Sequence, residues 1–179
     1  KNLYILIVKK NNLVFTFATA EVSPIGQLFI KITELLTGKL TLKKLYDEYL
    51  SENRPPEYFW DDAVDKLKFT LVTNFKDGSY IPSQGKLIVI ANHAFGVADG
   101  VSICSMISKF RQDYKMVTHK VLRQAEAVKD KILPIDFNET KDALITNINT
   151  RKEAENVLNN NGVIILFPSG RISTKQNLK

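Results

Sequence analysis

The sequence predicts an α/β fold with a mostly parallel sheet flanked by helices. The segment 86–91, in which Leu-Ile-Val-Ile-Ala follows Lys86, and the segment 163–167 contain short, continuous apolar runs, which are typical of strands buried on both faces. From about residue 69 onward, strand-like and helix-like segments alternate, and such alternation indicates parallel βαβ units. About 44% of the 179 residues are apolar, which is enough to bury a sizeable core.

The first third of the chain is predicted to be largely helical. Residues 3–17 fit either two short strands or a strand and a loop. Helices are predicted over residues 25–37, 41–50 and 57–68. The first of these helices carries an apolar face, formed by Leu28, Ile32, Leu35 and Leu36. A lone amphipathic helix either packs on a core or lies on a membrane surface, and both interpretations stay open here.

The remainder of the chain supplies the sheet and its flanking helices. Strands are predicted over residues 69–72, 86–91, 114–118, 132–136 and 163–167, with a turn at 76–79. Helices are predicted over residues 98–110, 121–128 and 140–159. We therefore divide the chain into an N-terminal, largely helical region at residues 1–68 and an α/β core at residues 69–179.

Charge and cysteine content narrow the classes of partner and compartment. The formal net charge of +6 favours anionic partners, including acidic lipid surfaces. No nucleic-acid recognition motif accompanies that charge, so we do not expect nucleic acid as a partner. The single cysteine, Cys104, cannot form an internal disulfide, and a reducing compartment such as the cytoplasm is expected. No apolar stretch reaches the roughly 18 residues that a membrane span needs.

The first candidate site follows the predicted strand at 86–91. His93 leaves this strand, and Asp99 stands at the start of the next helix. A histidine of this kind can take a proton from a hydroxyl while an aspartate holds its ring in the required tautomer. The six-residue spacing requires the loop between them to fold back, and Gly96 supplies the backbone freedom. The alternative is a pair of unrelated residues that cap a strand and a helix.

The second candidate site follows the predicted strand at 163–167, where the chain reads Pro-Ser-Gly-Arg. Gly170 would let backbone N–H groups approach an anion, and Arg171 would supply a forked cation for a phosphate. A plain turn with a solvated arginine is the alternative. Both sites are predicted to lie at the carboxyl edge of one sheet, where open α/β folds bind ligands.

Three blocks of the sequence resemble those of one enzyme superfamily. Asn-His-Ala-Phe-Gly-Val-Ala-Asp-Gly at 92–100 looks like the signature block of the lysophospholipid or glycerol-phosphate acyltransferases. Residues 131–137 resemble the middle block of that superfamily, and Phe-Pro-Ser-Gly-Arg at 167–171 resembles its Phe-Pro-Glu-Gly block. The blocks occur in the order that the superfamily has. The five residues between His93 and Asp99 are most similar to the hemolysin-like branch, which is related to the lyso-ornithine lipid acyltransferases.

The resemblance implies direct acyl transfer from a thioester, acyl-CoA or acyl carrier protein, to the hydroxyl of a lysolipid. His93 would be the base and Asp99 its orienter. We expect further substrate contacts from both flanking blocks, at Asn92, Phe95, Gly96, Ser169, Gly170 and Arg171. An enzyme of this kind is expected to lie peripherally on the cytoplasmic face of the cell membrane, with no bound cofactor and no metal site.

This chain also departs from the superfamily pattern. Phe137 stands where the middle block has an arginine, and Ser169 stands where the third block has a glutamate. The final block of the superfamily has no match, so we expect the C-terminal part of the domain to be missing. These departures leave a second interpretation open, in which the chain is a catalytically impaired lipid-surface binding protein of the same fold.

Overall fold

The structure is a computed structural model that describes residues 39–73 and 80–168. A four-stranded sheet lies at the centre of these residues. The α-helices there are α1 (Lys39–Ser51), α2 (Phe59–Lys66), α3 (Val97–Ser108) and α4 (Lys141–Asn159). The strands are β1 (Leu87–Ile90), β2 (Tyr114–His119), β3 (Ile132–Ile135) and β4 (Val163–Leu166). Short 3₁₀ helices occupy Pro56–Tyr58, Lys120–Gln124 and Glu126–Lys131.

All strand pairs in this sheet are parallel, and their order is β1-β4-β2-β3. The predicted α/β fold with a mostly parallel sheet is therefore confirmed. Because β4 returns to lie beside β1, the carboxyl ends of these two strands are neighbours at one edge of the sheet. Ile90 and Leu166, the last residues of the two strands, are register partners. The two candidate sequence blocks therefore leave the sheet side by side.

The core on one side of the sheet joins the helices to the strands. Buried side chains from α1, α2, α3 and every strand except β1 form one apolar cluster, which includes Trp60, Cys104, Met116 and Ile165. The indole Nε1 of Trp60 donates to the Tyr114 hydroxyl at 2.6 Å. Thus α2 packs directly on the α/β core. The proposed division of the chain at residue 68 stays a prediction.

The other side of the sheet is covered by α4, which contacts β2, β3 and β4. Ile164 alternates with the cluster residues of its strand and is buried on this second side. Thr140 caps α4, since its hydroxyl accepts from the Ala143 backbone N–H at 3.1 Å. Thr150 then fixes the helix to β3 by donating to the Pro134 carbonyl at 2.6 Å.

The burial predicted for β1 is wrong. Ile88 and Ile90 are 50% and 64% exposed, whereas Leu87 and Val89 pack against the core. Among the described residues β1 is an edge strand, and α4 lies over its neighbours instead. An apolar run does not distinguish an edge strand from a central one, because both bury at least one face.

Two further local predictions need correction. Residues 69–72 form no strand: Phe69 N–H instead donates to the Val64 carbonyl after α2 ends, and its side chain packs on the core. The helix predicted at 121–128 is a pair of 3₁₀ helices, split at Ala125. The predictions at residues 3–17, 25–37 and 76–79 lie outside the described residues.

Gly162 connects α4 to β4 through a close approach that leaves no space for a side chain. A Cβ atom there would lie 2.7 Å from Val157 Cγ1 and 3.0 Å from the Asp113 carbonyl oxygen. We expect Gly162→Ala to lower the free energy of unfolding by about 2 kcal/mol, since overpacking forces neighbouring atoms to shift.

Chemical denaturation of the Gly162→Ala variant measures this loss, and Gly100→Ala is the matched control. A Cβ at Gly100, inside α3, would meet only Met116 Sδ at an ordinary 3.7 Å. Alanine is also the better helix former, so this control is expected to be neutral or slightly stabilising. Equal effects of the two substitutions would contradict the packing described at Gly162.

Candidate active site

The loop between β1 and α3 is folded back by one glycine. Gly96 has φ 62° and ψ −118°, a conformation that residues with a Cβ rarely adopt. Its carbonyl accepts from the backbone N–H of Asp99 at 3.1 Å and of Gly100 at 3.4 Å. This turn starts α3 immediately after the loop, so that Asp99 in its first turn faces back toward the end of β1.

His93 and Asp99 approach each other across this loop. Nδ1 of His93 lies 3.3 Å from Asp99 Oδ2, and the two side chains are 21% and 19% exposed. Nδ1 is buried, and within the described residues it makes no hydrogen bond of standard geometry. The same carboxylate oxygen accepts from the Phe95 backbone N–H at 2.8 Å. Asp99 therefore makes two contacts: it closes the loop through the Phe95 backbone, and it faces the imidazole of His93.

The two sequence blocks meet at the His93 ring. Phe167, the first residue after β4, stacks on His93 with ring centroids 4.3 Å apart and planes inclined by 27°. The Ala91 backbone N–H donates to the Leu166 carbonyl at 3.3 Å, which extends the pairing of β1 with β4 up to this point. Sequence reasoning missed this contact, and the position of Phe167 next to the Pro-Ser-Gly-Arg segment of the sequence was the signal available for it.

The other predicted site residues lie in different settings. Asn92 is exposed, Phe95 is 79% exposed, and Gly96 is buried. Ser169, Gly170 and Arg171 lie outside the described residues, so the anion site predicted there stays a prediction. Of this block the structure describes only the start, Phe167, which stacks on the His93 ring, and Pro168.

Cys104, the single cysteine, and His119, the other histidine of the chain, are both held by structural contacts. Cys104 is fully buried, and burial raises the pKa of its thiol far above the ordinary value, as expected for a structural cysteine. His119 Nδ1 accepts from the Val121 backbone N–H at 3.1 Å. Its ring stacks on Phe137, and burial lowers its pKa.

No metal centre or membrane span is found in the described part of the chain. Residues 39–73 and 80–168 contain no group of three or more histidine, cysteine, aspartate or glutamate side chains placed to hold a metal ion. Among the same residues, no helix has both the length and the apolar character that crossing a bilayer requires.

A partly buried ion pair, missed in the sequence, lies at the carboxyl edge of β2 and β3. Asp136 Oδ2 accepts from Lys120 Nζ at 2.6 Å, and its Oδ1 accepts from the Asn138 backbone N–H at 3.2 Å. The hydrogen bond from Lys120 is the main reason why the pKa of Asp136 is lowered from its usual value. Asn147 of α4 holds the backbone of Asp136 through two further hydrogen bonds.

This lowered pKa predicts how stability depends on acid. The stabilisation is fully present above the unfolded pKa of Asp, about 3.9, and is lost as the pH falls through the lower folded value. We expect Asp136→Asn to lower the free energy of unfolding at pH 7 by about 1 kcal/mol and to flatten its acid dependence below about pH 4. Urea denaturation between pH 2 and pH 7 measures both effects.

Asp47→Asn, at an exposed pair with Lys43 in α1, is the control for that series. Surface pairs contribute little, so this variant should follow the wild-type acid dependence. If the free energy of unfolding of Asp136→Asn falls with acid as steeply as that of wild type, Lys120 does not stabilise the carboxylate.

Comparison with known proteins extends these observations. The model of a family described as Acyltransferase matches residues 72–179, which is more than half of the chain. The searches of curated proteins and of solved structures found no match. The matched range begins just before the described segment that leads into β1, and it contains the whole sheet together with His93 and Asp99.

Proposed function

The chain belongs to the acyltransferase family, and we propose that it moves a fatty acyl group from a thioester to the hydroxyl of a lysolipid. Acyl transfer is the general activity of the family. The approach of His93 Nδ1 to Asp99 Oδ2 at 3.3 Å is the observation that supports a histidine base. The five-residue spacing between these residues supports the finer assignment to the hemolysin-like, lyso-ornithine lipid acyltransferase branch.

In the proposed mechanism, the proton on Nδ1 of His93 points toward Asp99, which leaves Nε2 as the base. Nε2 removes the proton of the acceptor hydroxyl as the hydroxyl oxygen attacks the thioester carbonyl carbon. The new C–O bond forms, the tetrahedral oxyanion collapses, and the C–S bond breaks. The imidazolium then returns its proton to the leaving thiolate. Asp99 stabilises the imidazolium while it exists.

Substrate binding is assigned to residues on both flanking blocks. Asn92, Phe95 and Gly96 belong to the loop that carries His93, and the exposed Phe95 ring is available to an acyl chain. Ser169, Gly170 and Arg171 would hold an anionic head group, Arg171 as a forked cation. Backbone N–H groups would stabilise the oxyanion. Acyl-CoA or acyl carrier protein is the proposed donor, and no resident cofactor is required.

A peripheral position on the cytoplasmic face of the cell membrane completes the proposal. Acceptor and product are lipids, so the enzyme has to meet them at a bilayer surface. The net charge of +6 favours acidic lipids, and that attraction should weaken with salt. The amphipathic pattern at residues 25–37 is one candidate anchor.

The test is incubation of the protein with radiolabelled acyl-CoA or acyl carrier protein and a panel of lysolipids. The lysolipids are presented in neutral and anionic vesicles at low and high salt, and vesicle sedimentation is measured in parallel. Labelled diacyl product from at least one acceptor supports the proposal. Sedimentation without product, under every donor, would instead support a lipid-binding protein without turnover. Absence of both would reject the lysolipid assignment.

A further inference from the structure

Phe167 and His93 form a stacked pair at the centre of the candidate site. Their ring centroids lie 4.3 Å apart, and their planes are inclined by only 27°. His93 therefore has the carboxylate of Asp99 at its Nδ1 edge and an aromatic ring against one face. The reaction proposed above uses the edge contact, and it leaves the contact on the face without a role.

The Phe167 ring is held in this position by its backbone and its packing. Phe167 precedes Pro168, and a residue before proline is restricted to extended conformations. The side chain is partly buried and packs against the apolar cluster of the core. The backbone just before it is tied to β1 through the Leu166 carbonyl. The ring is thus a fixed surface against which the imidazole lies.

We propose that Phe167 is a positioning residue for His93, an inference that rests on the proposed function. The phenyl face keeps the imidazole turned toward Asp99. It also stabilises the ring when it becomes positively charged, because an aromatic face carries negative electrostatic potential. That charge exists only after Nε2 has taken the hydroxyl proton, so the contact favours the transition state over bound substrate.

The consequence is a loss of turnover when the aromatic face is removed. Phe167→Leu keeps an apolar side chain of similar size but has no π system, whereas Phe167→Tyr keeps the aromatic face. We expect Phe167→Leu to lower kcat about five- to thirty-fold, the range that corresponds to a cation–π contact, with KM nearly unchanged. Phe167→Tyr should restore most of the wild-type kcat.

A spectroscopic measurement tests the stacking without any need for turnover. The chain contains two histidines, so its imidazole proton spectrum is simple, and His93→Gln assigns the signals. Phe167→Leu should remove the ring-current shift from the His93 signals and leave those of His119 in place. Urea denaturation of each variant shows that it is folded, and Phe167→Met is a second non-aromatic variant if the leucine variant is unstable.

The outcomes separate this inference from the function on which it rests. If wild type transfers acyl groups, His93→Ala does not, and Phe167→Leu keeps the wild-type kcat, Phe167 has no such role. The same conclusion follows if Phe167→Tyr loses as much as Phe167→Leu. Wild-type protein without acyl transfer, or active His93→Ala, would overturn the proposed function itself.

Discussion

His93→Ala is expected to abolish acyl transfer, with kcat lowered at least about a thousandfold and the fold retained. The imidazole is the group placed to take the hydroxyl proton, and alanine offers no base. The side chain is 21% exposed and stacks on Phe167, so its removal should lower the free energy of unfolding by about 1 to 2 kcal/mol and leave the protein folded. Initial rates of labelled product formation at saturating donor and acceptor measure the effect.

Two companion variants test whether the loss of activity is specific to the His93–Asp99 pair. Asp99→Asn should lower kcat about a hundred- to ten-thousandfold, since an amide cannot stabilise the imidazolium and favours the wrong tautomer. His119→Ala is the matched control, because it removes the other histidine, which the mechanism does not use. Comparable losses in His93→Ala and His119→Ala, or near-normal turnover in His93→Ala, would contradict the assignment of His93 as the base.

Arg111→Met is expected to cause the largest loss of stability among these variants, about 3 kcal/mol or more, because several hydrogen bonds of one buried charged group are lost together. The Arg111 side chain is only 3% exposed. Its guanidinium donates to the carbonyls of Pro82, Gly85 and Asn161 and to both carboxylate oxygens of Asp113. These contacts join the segments that lead into β1, β2 and β4. Methionine would fill part of the space but leave the carbonyls of Pro82, Gly85 and Asn161 without this donor.

Arg151→Met is the matched control for this loss. Arg151 lies on α4 with 83% of its side chain exposed, and it pairs with Glu155 at 3.0 Å. Exposed pairs of this kind contribute little, so the control should unfold within about 0.5 kcal/mol of wild type. Thermal and urea unfolding of the two variants give the comparison. A loss in Arg111→Met no greater than in Arg151→Met would rule out a structural role for the guanidinium network.

The helices and strands that local pattern determines could be predicted from the sequence. The boundaries of α4 follow from the Thr140 cap and from the asparagine and glycine residues at its end, and the structure places the helix at Lys141–Asn159. The exposure of Ile88 and Ile90 could not be predicted, because it depends on which strands α4 covers. The sequence predicts a strand at Phe69, because a short apolar segment that packs on the core has the same residue types as a strand in a sheet.

Only those contacts of the candidate site that lie within one short segment could be predicted from the sequence. The return of Asp99 toward His93 depends on one short loop and on the conformation of Gly96, and both are visible in the sequence. The stacking of Phe167 depends on the register of β1 with β4, in which Ile90 pairs with Leu166. No local pattern determines a register between strands so far apart along the chain. The pairing of Lys120 with Asp136 was missed for the same reason.

The most direct test of acyl transfer follows the oxygen of the acceptor. The protein is incubated with acyl-CoA and a lysolipid whose free hydroxyl carries ¹⁸O, and released thiol and lipid products are quantified together, the lipids by mass spectrometry. Attack by the acceptor hydroxyl predicts one thiol released for each diacyl product, with the ¹⁸O retained in the new ester. Thiol release accompanied by free fatty acid, or an ester that lacks the label, would contradict acyl transfer to the acceptor hydroxyl.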